Sequence, residues 1–132
     1  MPEYPDIQKP KIVEKHKTGA VRSSQEGKGR YDLISVHGMR RLAVHYERGI
    51  HYGSRNWEGG LSMSRYLNSA IRHLFRYLGG DRSEDHLAAA AWNIFALMDH
   101  EERIERKKLP EELNDLPKPG DMFRPDEFVE GK

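Results

Sequence analysis

The run HLAAAAWNIFALM, residues 86–98, leaves this chain few ways to fold. Leu87, Ala90, Ala91, Ile94, Leu97 and Met98 recur at helical spacing, and the reading is a helix that buries this stripe. The alanines let a neighbouring helix approach closely. The run is well short of the roughly 20 apolar residues of a membrane span, so its partner must be another helix rather than lipid. The helix is expected to begin after Ser83, and its first turn is chemically unusual. Glu84, Asp85 and His86 open it, with Asp81 just before. Carboxylates are favoured there by the helix dipole and the free amides, so capping is one reading. Half of a metal site is the other.

Two earlier segments carry the same period. One runs from about Val36 to Tyr52, with Leu42, Tyr46, Gly49 and Ile50 in phase and Gly53 as its stop. The next follows Ser62 as a possible N-cap, places Leu67, Ile71, Leu74 and Leu78 on one stripe, and ends at Gly79-Gly80. The short connection to the third helix makes these two antiparallel neighbours. Nothing alternates convincingly at period two, so little sheet is expected. Residues 1–30 contain Pro2, Pro5 and Pro10 and read as an extended arm or loop. Residues 31–108 hold the helical domain, and 109–132 form a Pro-rich tail. The expected fold is an all-α small bundle of about three core helices with extended arms. Three such helices cover one core thinly, so completion by homo-oligomerisation is expected.

Composition removes several classes of function. The 22 basic and 21 acidic side chains nearly cancel, which gives no electrostatic case for nucleic-acid or membrane binding. With no cysteine there is no disulfide framework and no thiolate metal site. No hydrophobic run resembling a signal peptide opens the N-terminus, and a cytoplasmic location is the plain expectation. G-x-S-x-G and H-E-x-x-H are absent. The glycine-flanked loop around Lys28 is not a P-loop, because Arg22 and Gly29 stand where that motif needs Gly and Ser or Thr.

Advancing about 100° per residue, His86 and Asn93 share a stripe with Ala90 and Leu97. His73 falls beside Tyr66, Ala70 and Tyr77, while Asn68 and Arg72 lie on the other border of that helix. Glu47 borders the first helix's apolar stripe. Polar groups at the borders of several apolar faces can converge on a pocket between helices. The loop YGSRNWEGG adds Arg55, Asn56 and Trp57, suited to phosphate, base edge and base face. Each residue also has a plain reading. A border histidine often satisfies a core, Glu47 can pair with arginines, Asp81 can be a turn residue, and Arg55 can pair with Glu58. Hard-metal phosphate chemistry fits the inventory best.

The blocks YGSRNWEGG, SAIRHL and GDRSEDHLAAAAWN, within about residues 19–102, resemble the phage and prophage dATP/dGTP diphosphohydrolase N-terminal domain family. That family is similar to the MazG-like all-α nucleotide pyrophosphohydrolases. The resemblance implies a helical, usually oligomeric fold and metal-dependent cleavage of a purine deoxynucleoside triphosphate to monophosphate and pyrophosphate. It implies Mg2+ (or Mn2+) on Glu84 and Asp85, with Asp81 and Glu47 in reserve. His73 or His86 then orients or deprotonates the attacking water. Arg55, Arg72 and Lys28 neutralise the triphosphate, Trp57 stacks on the purine, and Asn56 and Asn93 complete the substrate contacts. The chain departs from the MazG pattern, since no E-x-x-E followed by E-x-x-D lies within the helical core and position 68 is Asn68. A non-catalytic protein that sequesters a nucleotide, including a host signalling nucleotide, is the alternative. A helical module recruiting a partner through its Pro-rich ends is the third.

Overall fold

The structure, a computed structural model, describes residues 13–53 and 55–123. The first 12 residues of the N-terminal arm and the last 9 of the Pro-rich tail lie outside the described residues. The chain divides into two compact units, residues 1–39 and 40–132, with the boundary inside the first helix.

In the first unit, β1 (Val13–Lys15) pairs antiparallel with β2 (Val21–Ser23), with Val13 opposite Ser23 and Lys15 opposite Val21. Gly19, at φ 88°, makes the turn between them. Three-residue strands are too short to print a period-two pattern, which is why the sequence reading saw only a loop. A 3₁₀ turn over Tyr31–Leu33 follows. Ser35 Oγ then accepts from Gly38 N–H at 3.1 Å, capping α1 (Val36–Arg48).

The second unit carries the helical core. α1 ends at Arg48 rather than Tyr52; the chain tightens into a 3₁₀ turn over Ile50–Tyr52 and stops at Gly53, at φ 105°. α2 (Met63–Leu78) follows a second 3₁₀ turn at Asn56–Gly59. Ser62 stands at its N-cap but its side chain makes no capping bond. The cap comes instead from Asp115, whose carboxylate accepts from Ser64 N–H at 2.9 Å and Ser64 Oγ–H at 2.5 Å. Leu109 and Leu113 close over Gly60, so the segment after α3 is tied back onto the start of α2.

α3 (His86–Glu105) runs antiparallel to α2 and packs along it. The faces in contact are only in part the ones the apolar spacing suggested: Ala90 is buried and Leu67, Leu87, Ala91 and Leu97 are half-buried. α2 buries Met63, Tyr66 and Ala70; α3 buries His86, Ala88, Ala89, Ala90, Asn93, Ala96 and His100. The expected stripe Ile71, Leu74, Leu78 is exposed, as are Ile94 and Met98 on α3. Small side chains set the closest approach of two helices, so the alanine face won the contact and turned the bulkier residues outward. Among the described residues, no helix is long and apolar enough to cross a membrane.

Candidate metal centre and aromatic cavity

The connection between α2 and α3 is short, and Gly80 turns it at φ 91°. It brings the last turns of α2 against the first turn of α3. His73, one helical turn and a half before the end of α2, thereby meets His86, the first residue of α3. Their Nδ1 atoms lie 2.9 Å apart. Glu84 Oε1 lies 3.6 Å from His73 Nδ1 and 3.8 Å from His86 Nδ1. At that distance either one imidazole donates its Nδ1–H to the other's Nδ1, or both lone pairs face a shared cation. Tetrahedral coordination at zinc-like bond lengths sets ligand atoms about 3.3 Å apart. The three edges of this triangle straddle that value. Among the described residues this is the one group of three side chains able to hold a metal.

The far side of His86 fits the same role. Its buried Nε2 has no aligned hydrogen bond but lies 3.1 Å from Asp81 Oδ2. A histidine that ligates through one nitrogen commonly directs the other toward a carboxylate. Asp81 is itself held firmly. Its Oδ1 accepts from Ser83 N–H and Oγ–H at 2.8 and 2.6 Å, and its Oδ2 accepts from Arg76 Nε at 2.8 Å. The Ser83 hydroxyl, then the Ser83 amide and Arg76, hold the Asp81 carboxyl far below the usual carboxylate range. Burial pushes His73 toward the neutral form, with Glu84 opposing.

Asp85 has another occupation. Arg41 donates to both its oxygens at 2.8 and 2.6 Å, and Ala88 N–H donates to Oδ1 at 3.1 Å, making Asp85 the N-cap of α3. The Arg41 contact holds its pKa at about 2. Glu47 is exposed on α1 and forms no ion pair with a described residue.

An open cavity of about 500 Å³ lies at one end of the helical core. Its walls include Tyr46, Tyr52, Trp57, Tyr66 and Trp92, with His45, Arg48 and Asn56 supplying polar edges. Tyr46 meets Trp57 edge-on with ring centres 6.2 Å apart, and the Arg103 guanidinium lies 5.5 Å from the Trp57 ring centre. Asn56 and Trp57 therefore share one cavity. Arg55 does not line it; Arg55 is 76% exposed at its side chain and donates to Glu58 at 2.5 Å. Arg72 and Asn93 line a second, smaller cavity of about 260 Å³, which shares Leu61, Tyr66 and Trp92 with the first. Arg72 donates to Ser69 Oγ at 3.3 Å, and Asn93 donates to Ala89 carbonyl oxygen at 2.8 Å. Asn68 stands on the same small cavity. Lys28 belongs to the first unit, in a turn where its N–H donates to Gln25 carbonyl oxygen at 3.1 Å.

Sequence reasoning passed over His45. It stands on α1 against Trp92, with ring centres 5.9 Å apart, and lines the aromatic cavity. Burial lowers its pKa, while the nearby charges of Glu84 and Asp85 act in the opposite sense. Its neighbours Leu42 and Tyr46 carried the helical period, and no motif singled out the histidine between them. An acidic pattern also emerges from the longer α3: Glu102-x-x-Glu105 is helical, and Glu112-x-x-Asp115 follows. Those acids do not converge. Glu102 pairs with Arg106 at 2.6 Å and Asp115 caps α2.

Two antiparallel helices bringing together two imidazoles and a carboxylate that could hold a metal, in a unit that also carries an aromatic-walled cavity, define an all-α domain. The chain belongs to the dATP/dGTP diphosphohydrolase, N-terminal family, whose model matches residues 18–109. The family is named for a nucleotide hydrolase. No curated protein and no solved structure matches the chain.

Proposed function

We propose that this domain hydrolyses dATP and dGTP to the monophosphate and pyrophosphate, with a divalent metal ion held by His73, Glu84 and His86. The observation that carries the reading is the convergence of those three side chains within 4.8 Å. Family membership supports the nucleotide. The reaction consumes one water; the link between the α- and β-phosphates breaks, and the elements of water are divided between the two products. When bound, a divalent ion supplies Lewis-acid stabilisation of charge on the phosphoryl oxygens. Two imidazoles and one carboxylate suit Mn2+ or another first-row ion better than Mg2+, which prefers all-oxygen sites. The same donor set occurs in ferrous oxygenases and in hydrolytic zinc enzymes, and the family name favours hydrolysis.

In this reading the chain's own residues divide the work. His73 and His86 are ligands, and Asp81 fixes the ring of His86. Asp85 caps α3 and anchors Arg41. His45, kept neutral by burial, is free to accept the proton of the attacking water. Trp57 and its aromatic neighbours accept the purine, and Asn56 contacts its edge. The proposed setting is the cytoplasm, the host's where the gene is phage-borne, because the deoxynucleotide pool is there.

The test is release of monophosphate and pyrophosphate from a panel of dNTPs and NTPs with Mn2+, with Mg2+ and with EDTA. The expected result is purine-selective, EDTA-sensitive turnover that is lost in His86→Ala. Tight nucleotide binding without turnover under every metal condition replaces the enzyme with a sequestering protein. That second reading draws on one observation: Glu84 is the one carboxylate in the triad.

A further inference from the structure

We infer that the triphosphate tail of the bound nucleotide lies along α1, between Arg48 and Arg40, in a groove that continues the aromatic cavity. The inference rests on the nucleotide reading above and adds to it residues that neither the family name nor the sequence motifs single out. A third cavity, of about 210 Å³, is lined by Arg40, Arg41, Val44, His45, Arg48 and Asp85, with Ala88. It shares His45 and Arg48 with the aromatic cavity, so the two are adjoining compartments of one cleft. Arg41, Val44, His45 and Arg48 follow one another at spacings of three, one and three, which puts them on one face of the helix.

Charge decides what this groove can hold. Asp85 is the one acidic side chain in its wall, and Arg41 together with the Ala88 amide takes up both of its oxygens. Arg40 and Arg48 form no hydrogen bond or ion pair with any described residue. Two guanidiniums without a hydrogen bond or ion pair to a described residue, on a concave surface next to an aromatic cavity, are matched by an anion with several oxygens attached to a flat ring. Asp85, in the wall of this groove, stands in sequence between Glu84 and His86 of the triad. A tail extending from the aromatic cavity past Arg48 and His45 therefore runs toward the metal centre. The smaller cavity with Arg65 and Arg72 also shares Leu61, Tyr66 and Trp92 with the aromatic cavity, but there Arg72 donates to Ser69 Oγ.

The experiment measures binding of α,β-methylene dATP, which resists hydrolysis, and of dAMP, to the wild-type chain and to Arg40→Gln and Arg48→Gln. Both arginines are exposed, so the folded state should tolerate the changes, and circular dichroism checks this. Arg65→Gln is the control for diffuse charge. The expected result is a loss of about tenfold or more in affinity for the triphosphate in each variant, with a much smaller loss for dAMP and none in Arg65→Gln. Tripolyphosphate alone should compete with the analogue in the wild type and compete less well in Arg48→Gln. Unchanged triphosphate binding in both variants, or an equal loss in the Arg65→Gln control, overturns the groove while leaving the nucleotide reading intact. Failure of the wild-type chain to bind the analogue at all overturns both.

Discussion

Asp85 shows how one carboxylate can be spoken for twice. It caps α3 through Ala88 and anchors Arg41, so Asp85→Ala should destabilise the fold by about 1 kcal/mol, the usual loss for a removed N-cap, as read from urea unfolding. Its pKa falls from 3.8 to about 2 on folding. A depressed carboxylate contributes stability that is fully present above the unfolded value and disappears as pH drops through the folded one. Stability should therefore decline between about pH 4 and pH 2 in the wild type, and this part of the decline should be absent in Asp85→Asn. Asp81 belongs to a different task. If it orients His86 toward a metal, Asp81→Asn should weaken Mn2+ or Zn2+ binding about 10- to 100-fold in a chelator competition, with little change in far-ultraviolet circular dichroism. An unchanged affinity removes that role. From spacing alone Asp81, Glu84, Asp85 and His86 form one acidic turn. Their separation into cap, proposed ligand and proposed ring support depends on Arg41 from α1 and on His73 and Arg76 from α2, which the spacing of the turn itself does not reveal.

The α2–α3 pair explains both what the sequence conveyed and what it concealed. Helix number, order, antiparallel pairing and the stop at Gly79 were readable, because periodicity and glycine act locally, whereas α1 ends at Arg48 and Gly53 stops only the 3₁₀ turn that follows. The choice of face was not. Apolar spacing pointed to Ile71, Leu74 and Leu78, yet Tyr66, Ala70 and the alanines of α3 make the contact. Volume at the interface, a property of two helices together, outweighed the hydrophobicity of either one. The histidines were placed beside Ala70 and Ala90 on the helical wheel, and those alanines lie in the contact, so the border positions were the informative ones. Ala89 is 1% exposed, and Ala89→Leu should force the helices apart at a cost of about 1–3 kcal/mol in thermal or chemical unfolding. A neutral effect would mean that the alanine face does not set the spacing. Within the same face His100 is fully buried, accepts from Leu61 N–H at 3.4 Å and is pushed toward neutrality by burial.

For the molecule as a whole, the apolar residues left outside are the main unresolved demand of the fold. Phe75 and Leu78 are 66% and 78% exposed, and Ile71, Leu74, Ile94, Phe95 and Met98 join them on α2 and α3. A single chain that leaves so much of two helices uncovered is expected to associate with itself. Sedimentation should give an oligomer at micromolar concentration, and Phe75→Asp with Leu78→Asp should shift it to the monomer. A monomeric wild type contradicts this. For the proposed centre of His73, Glu84 and His86, the decisive measurement is calorimetric titration of chelator-stripped protein with Mn2+ and with Zn2+. One ion should bind per chain, more tightly than Mg2+, and binding should be lost in His73→Ala and in His86→Ala. Absence of binding, or binding that survives removal of both histidines, contradicts it.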